Sequence, residues 1–580
     1  MTYNWQIWQP TEAQQTATRT LAQELSISEA AARMLVHRGI MTADQARQYI
    51  RPSLADLHDP MLMKDMDKAI NRLEKAIRKR ERIMVYGDYD VDGTTAVALM
   101  YSFLKMLTPE VEFYIPDRYT EGYGISFKGI DVAQQNGCTL IVALDCGIKA
   151  VDKAEYATQK GIDLIVCDHH TPGDQLPQCV AVLNMKRKDC EYPFKELSGC
   201  GVGFKLVQGY AITHGITEQK IAPLLPLLAM SIASDIVSMT GENRVLAYFG
   251  LKQMNLAPSI GIQAIMDVAG IEKGKITISD LIFKIGPRIN ASGRMRTGAE
   301  AVKLLITEDE DFARQQAEDI NSFNTERRSY DEDTTRQALE QLNQDPDNDR
   351  KYTTVVYGEG WHKGVIGISA SRLTETYYRP TIVLTSGEGD IITGSARSVG
   401  GFDLYSAIDS CRDLLTNFGG HQFAAGLSMH LSDLPAFKER FETYVREHIR
   451  PDQQIPTIHV EQEIQLADID KKFFNILRHL EPFGPDNPRP IFVTRNLINN
   501  RYTKAVGKTG EHLKLDVTDR TAAISGIAFG RGDIATYIQN GNSVDICYEL
   551  TENTFNNITT IEMMVQDIQL CSTKEKHEDR

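Results

Sequence analysis

Apolar and polar positions change their period several times along this 580-residue chain. Up to about residue 75 the apolar residues recur at helical spacing, as in Glu29 to Val36, with loops around Pro52 and Pro60. From there the pattern shortens to the apolar runs Ile83 to Tyr86, Val111 to Ile115, Leu140 to Leu144, Leu164 to Cys167 and Val180 to Leu183. Helix-like segments such as Thr95 to Leu107 and Lys128 to Gln135 separate most of them. Strands alternating with helices predict a parallel sheet covered on both faces. Residues 220 to 345 read as mostly helical and end in a polar stretch, Phe312 to Gln344, without Pro or Gly. That composition suits a solvent-bridging helix between domains. Asp345-Pro-Asp-Asn-Asp349 breaks it. A second α/β unit follows, with a strand at Thr354 to Tyr357, a helix near Val365 to Tyr377, and strands at Thr381 to Leu384 and Ile391 to Ser395. Short alternating runs then recur to about 570, such as Leu513 to Val517 and Ser543 to Tyr548, and predict a small β domain, a barrel.

The expected architecture is therefore α/β, with six segments. They are a helical segment (1–75), a parallel-sheet domain (76–310), a connecting helix (311–345), a smaller α/β domain (346–454), a β-barrel domain (455–572) and a disordered charged tail (573–580).

Composition narrows the class. Hydrophobic content of 42% and charged content of 24% are those of a globular protein. No apolar run reaches the roughly 18 residues of a membrane span, and no signal-peptide pattern opens the chain, so no membrane partner is expected. Nine scattered cysteines form no C-x-x-C pair, which fits a reducing cytoplasm rather than a disulfide or zinc framework. The net charge of −15 weakens a polyanionic substrate without excluding it, because ions bound among carboxylates can reverse the local sign.

Candidate chemistry collects at the strand ends. Asp88, Asp90 and Asp92 follow the run 83–86, Asp145 follows 140–144, and Asp168-His169-His170 follows 164–167. Open parallel sheets bind ligands beyond these carboxyl ends. Asp235 interrupts the apolar helix expected over Leu224 to Met239. Taken singly, each acid has an ordinary role as a turn residue, a helix cap or a solvated position. Leu99 stands where a calcium loop needs glutamate, so an EF-hand is dismissed. Together, however, these carboxylates repel unless cations neutralise them. Oxygen ligands with an imidazole suit manganese or magnesium. Two such ions, with Asp145 as the carboxylate between them, suit phosphoester hydrolysis. Gly507-Lys508-Thr509 lacks the earlier glycine of a phosphate loop, and Gly199 to Gly203 has the wrong spacing for a dinucleotide fingerprint.

With these residues in place, the chain resembles the DHH phosphoesterase superfamily, and within it the bacterial single-strand-specific 5′→3′ DNA exonucleases. Gly87 to Gly93, Leu144 to Gly147, Asp168 to His170 and Ser234 to Val237 match its four motifs in order. Gly360 to Gly367, Ser395 to Ser398 and Gly419 to Gly426 match the companion domain called DHHA1. The resemblance implies that Asp88, Asp90, Asp92, Asp145, His169 and Asp235 hold two Mn2+ or Mg2+ ions. It also implies that His170 contacts the scissile phosphate and that Asp168 orients a ligand from behind. Tyr86 stands where many relatives have histidine, which leaves the first ion's ligand set open. Pro116 to Gly124 looks like the family's loop near the active site. Arg118, Arg288, Arg294 and Arg397 are candidate phosphate clamps, since guanidinium forks match phosphate oxygens. Arg288 and Arg294 lie in a Gly-rich basic loop, 286–296. Gly419 and Gly420, before His421, would let backbone amides approach a phosphate.

The β domain resembles an oligonucleotide-binding (OB) fold, with Phe483, Tyr502 and Lys504 as candidate strand contacts. The implied function is a two-metal exonuclease releasing 5′-mononucleotides in recombination and repair. Single-stranded DNA is the implied substrate, with a single-strand-binding protein and a helicase as candidate partners. A DHH hydrolase of small substrates and a non-enzymatic single-strand-binding scaffold are the alternatives. A β domain that tracks strands argues against the first, and a complete ligand set against the second.

Overall fold

The computed structural model describes residues 3–556 and 558–571, so the expected charged tail lies outside the described residues. The chain forms two compact units.

The larger unit, residues 54–454 with 484–486, carries two sheets. Its first sheet is five-stranded, in the order Val111–Tyr114, Arg82–Gly87, Cys138–Leu144, Asp163–Cys167, Ala181–Leu183. Every neighbouring pair is parallel. Helices cover both faces, which is why these strands are almost continuously apolar and buried. The strand order reverses between Arg82–Gly87 and Cys138–Leu144, and at such a switch point two loops part and leave a crevice. The second sheet is also five-stranded and mixed, in the order Asn417–Gly420, Ala424–His430, Ile391–Arg397, Thr381–Ser386, Thr354–Gly358. Its hairpin of Asn417–Gly420 with Ala424–His430 is not predicted from the sequence pattern. The polar stretch is one helix, Glu310–Asn343, of 34 residues. It is fixed to the second sheet's helix Ile366–Tyr377 through Asp331, which is fully buried, accepts from Ser369 Oγ (3.1 Å) and forms an ion pair with Arg372 Nη2 (2.9 Å).

The smaller unit corrects the expected boundary at residue 75. Residues 1–53 belong to the same body as 455–483 and 487–580. Leu21, Leu35 and Ala46 from the amino-terminal helices share one apolar core with Phe473, Phe492, Leu515 and Ile546. Strand Asn4–Ile7 pairs in parallel with Thr457–Val460. Helix Met66–Lys79 instead buries Ile70 and Leu73 in the core of the larger unit. Periodicity marks all these segments as amphipathic helices but does not say which core each one covers. The β domain is seven-stranded, and pairing of Ile491–Asn499 with both Val544–Phe555 and His512–Thr518 joins its ends into a ring.

Leu35 is fully buried in the shared core. Leu35→Ala should destabilise the smaller unit by about 2–5 kcal/mol. Trp5 and Trp8 fluorescence in denaturant reads that unit, and an unchanged midpoint would contradict a shared core.

Candidate metal centre and its arginine rim

Each acid reaches the crevice by a different local device. Asp88 leaves strand Arg82–Gly87, and its Oδ1 accepts from Gly124 N at 3.1 Å, while Oδ2 is buried without a partner. Asp90 caps helix Val91–Lys105 through Gly93 N, at 3.0 Å. Asp92, in that helix's first turn, has both oxygens held. Gly199 N donates to Oδ2 (2.6 Å), and Cys200 N (2.8 Å) and Ser231 Oγ (2.7 Å) donate to Oδ1. Asp145 follows Cys138–Leu144 at φ +57°, an uncommon conformation for a residue with a side chain. A Cβ at Gly199 would stand 2.6 Å from Asp145 Oδ1, so only glycine lets the helix Gly199–Thr213 approach this closely.

Asp235 is placed differently from its expected position. The helix Leu225–Ser234 stops before it, Asp235 is its C-cap, and Ile236 turns the chain away at φ +58°. A carboxylate at the negative end of a helix dipole is disfavoured unless a cation is near. The expected basic loop at 286–296 is also corrected, because Gly286–Met295 is helical. Its glycines serve packing: a Cβ at Gly293 would stand 2.7 Å from the Tyr89 carbonyl oxygen.

The result is a knot of unsatisfied acceptors. His169 Nε2 lies 3.3 Å from Asp145 Oδ1, 3.4 Å from Asp235 Oδ2 and 3.9 Å from Asp92 Oδ2. Both His169 nitrogens, Asp145 Oδ1 and Asp235 Oδ2 are buried without hydrogen-bond partners. Asp92, His169 and Asp235 form one group with metal-ligand spacing, and Asp145, His169 and His170 a second. Burial, reinforced by Asp90, pushes Asp88 up to about 8. Burial, then the charges of Asp92 and Asp90, pushes Asp235 up to about 9. Asp145 rises well above the ordinary range for the same reasons. Burial holds His169 below its ordinary value despite Asp92, so it is the neutral imidazole that ligates cations. Buried acceptors with no donor are what a divalent cation satisfies, and this donor set of carboxylates with one imidazole fits Mn2+ or Mg2+.

Asp168 does not orient His169. Its Oδ1 accepts from His170 Nδ1 (2.7 Å) and His170 N (3.1 Å), and its Oδ2 from Ile148 N (2.8 Å). Burial would lower the His170 pKa, but the hydrogen bond and charge of Asp168 raise it. His170 Nε2 meets the Tyr123 hydroxyl at 3.2 Å, and that hydroxyl also reaches Asp145 O at 2.9 Å. Tyr123 lies in the loop 116–124 expected near the site, but its role, like those of Ser231, Gly199 and Asn184, which donates to His170 O at 2.9 Å, is not part of the motif reading. Only the partners in space reveal them. Tyr86 is fully buried, and its hydroxyl donates to Gly124 O (3.0 Å) and accepts from Ser126 N (3.1 Å), so it anchors the loop whose Gly124 amide holds Asp88.

The arginines form a rim of opposite sign. Arg118 sits over the Tyr89 ring at 4.8 Å. Burial, together with the charges of Arg118, Arg327 and Arg397, lowers Arg294 to about 10. Arg397 donates to Ser395 Oγ and Ala396 O, both at 2.8 Å, and has no carboxylate partner among the described residues. Arg327, missed in the sequence, joins the group with its Nε buried and unpartnered. Arg288 is spent on Asn321 Oδ1 (3.0 Å) and Lys284 O (2.8 Å) and touches the group's field only through Arg327. Gly419 and Gly420 end a hairpin strand, and its partner strand pairs Ala424 with Arg397. His421 is exposed at that turn.

Comparisons with known proteins agree with this layout. A model of the DHH family, N-terminal domain, matches residues 82–232, one of the DHHA1 domain matches 349–447, and one of the RecJ OB domain matches 460–567. The single-stranded-DNA-specific exonuclease RecJ of Bacillus subtilis (strain 168) is 35% identical over 564 residues, covering 97% of this chain and 70% of the relative. That of Escherichia coli (strain K12) is 30% identical, covering 92% of this chain and 95% of the relative. The chain belongs to the RecJ family. Among solved structures, the RecJ of Thermus thermophilus in complex with Mn2+ is similar with a TM-score of 0.83 at 27% identity, over 98% of this chain and 79% of that one. The RecJ-family fold thus accounts for the parallel-sheet domain, the DHHA1 sheet and the OB sheet together.

The raised carboxylates give a pH test. Unfolded, these groups titrate near 4. Between there and the folded values of about 8 and about 9, the metal-free fold holds protons that the unfolded chain has released. Metal-free stability therefore falls as pH rises through that window. Cation uptake must expel the same protons. Titration calorimetry near neutral pH, in buffers of different ionisation heat, should show proton release on Mn2+ binding. Buffer-independent heats would contradict the assignment.

Proposed function

We propose that this RecJ-family chain is a divalent-metal-dependent exonuclease that degrades single-stranded DNA from its 5′ end to 5′-mononucleotides, in recombination and repair. The observation that carries the reading is the set of partnerless buried atoms on Asp145, His169 and Asp235, which meet at one centre, with a further one on Asp88, near arginines that donate to neutral oxygens. Asp88, Asp90, Asp92, Asp145, His169 and Asp235 would hold two ions, Mn2+ or Mg2+. When bound, these ions would supply Lewis acidity toward the scissile phosphate and an activated water.

The chain's own groups do the rest. Asp168 holds a proton on His170 Nδ1 and favours the charged ring, which leaves Nε2 as a donor to a phosphate oxygen. Tyr123 keeps that nitrogen aligned until a phosphate takes its place. Arg118, Arg294, Arg327 and Arg397 take strand phosphates, while Arg288 is held by Asn321 and Lys284 O. Gly419, Gly420 and His421 extend the rim from the DHHA1 sheet. The OB domain would follow the strand further, with exposed Tyr502 and Lys504 as contacts, whereas Phe483 is buried in the core. Among the described residues no helix is long and apolar enough to cross a membrane, and every cysteine is free. We place the enzyme in the cytoplasm, acting with a single-strand-binding protein and a helicase.

The Asp145→Ala variant should lose Mn2+-dependent cleavage by at least about a thousandfold while keeping its fold, since the exchange also removes a buried carboxyl oxygen that has no partner. With strands labelled at either end, the parent should shorten single strands from the 5′ end and leave duplex intact. Duplex degradation, or wild-type turnover by the variant, would refute the proposal. Arg294→Ala should flatten the salt dependence of strand binding by about one unit of slope, as expected for one lost phosphate contact. An unchanged slope would remove Arg294 from the rim.

A further inference from the structure

A set of rings beside the arginines is left unused by this mechanism. Tyr330, on helix Glu310–Asn343, stacks on His362 with ring centres 5.1 Å apart and planes 18° apart. Tyr119 meets His362 edge-on at 6.5 Å and 89°. Tyr119 and Tyr330 are 50% and 41% exposed, more than rings placed only for packing require. Backbone contacts fix the group in place. His362 Nδ1 accepts from Gly364 N at 3.0 Å, Gly364 O accepts from Arg294 Nη1 at 2.7 Å, and the Tyr119 hydroxyl donates to Arg294 O at 2.6 Å. The rings are therefore tied to the same residue that centres the guanidinium cluster. Arg327 precedes Tyr330 by three positions on its helix and so shares its face, with Nε buried and unpartnered.

Arg294 donates to Gly364 O and Arg327 to Asn324 Oδ1, both neutral oxygens. Guanidiniums held in this way next to half-exposed rings match the two halves of a nucleotide: phosphate for the cations and a base for the rings. We infer that Tyr330, backed by His362, is a stacking platform for one nucleobase of the strand, the neighbouring phosphate lying on Arg294 and Arg327 and Tyr119 closing the edge. Stacking accepts every base, since each has a π-face, so the platform reads the presence of a base and not its identity. It also requires that base to be unpaired and splayed from its neighbour, which makes it a local selector of single strands. This inference rests on the single-stranded DNA reading above.

Binding of labelled single strands in the Asp145→Ala background, where the strand survives the measurement, tests it. Ordinary strands are compared with strands carrying one abasic residue at successive positions from the 5′ end. Tyr330→Ala should weaken binding of the ordinary strand about tenfold, the equivalent of about 1.4 kcal/mol. Tyr330→Phe should retain it. At one abasic position the parent should lose the same tenfold and Tyr330→Ala should lose nothing further, because the partner of the ring is already gone. If Tyr330→Ala and the abasic loss add at every position, or if Tyr330→Phe weakens binding as much as alanine, the platform is refuted. If single strands fail to bind before Tyr330 is changed, the nucleic-acid reading itself falls, and the platform with it.

Discussion

Mutual repulsion among Asp88, Asp90, Asp92, Asp145 and Asp235 is the constraint on which the rest of this structure depends. Two like charges 4 Å apart repel by about 4 kcal/mol at an effective dielectric of 20. A few such pairs rival the whole stability of a domain, about 5–15 kcal/mol. The fold meets this in two ways without cations. It neutralises part of the set, which is why Asp88, Asp145 and Asp235 hold protons far above the ordinary carboxylate range. It also solvates one member internally, giving Asp92 two backbone amides and the Ser231 hydroxyl. Asp92 is thus held in place by three donors. The protonated members remain an energetic deficit that a divalent cation removes.

Topology decides where this deficit can stand. Asp88 and Asp145 leave adjacent parallel strands at the switch point, where consecutive loops diverge and a crevice opens. Parallel strands deliver all their carboxyl ends to one edge, so strand Asp163–Cys167 brings the Asp168-His169-His170 triplet to the same place. The triplet then divides by partner: Asp168 is bound to Ile148 N and His170, and His169 is left to the carboxylates. Tyr89 stands between the two signs of charge, with Arg118 over its ring, Gly293 against its carbonyl and Asp88 and Asp90 on either side of it in the chain.

The sequence shows the parallel sheet, the connecting helix and the acids clearly, since apolar runs ending in Asp or His are local signals. Asp235 is legible as an acid near the site but not as a C-cap, because the turn at Ile236 takes a conformation that an isoleucine does not advertise. The span 286–296 reads as a loop from its glycines, whereas Gly286 and Gly293 are there to let a helix approach Ser234 and Tyr89 closely. Arg327 looks like one more solvated residue of a polar helix until that helix is set against the second sheet. Tyr123 and Asn184 act only through partners many residues away, and no spacing rule encodes them.

The smaller unit imposes a constraint of a different kind. Its core needs Leu21 and Leu35 from one end of the chain and Phe492 and Ile546 from the other. Strand Asn4–Ile7 finds its partner, Thr457–Val460, more than four hundred residues later. Contacts so distant in sequence are slow to form, because loop closure is costly before any contact repays it. The parallel sheet, by contrast, is assembled from consecutive segments between residues 82 and 183, so its strand pairings are local. The acids of the centre all lie between residues 88 and 235, whereas the smaller unit's core joins residues before 50 to residues after 460. The acids therefore sit in a unit built largely from neighbouring segments, and the sheet matched by the RecJ OB domain sits in a unit whose core joins segments from both ends of the chain.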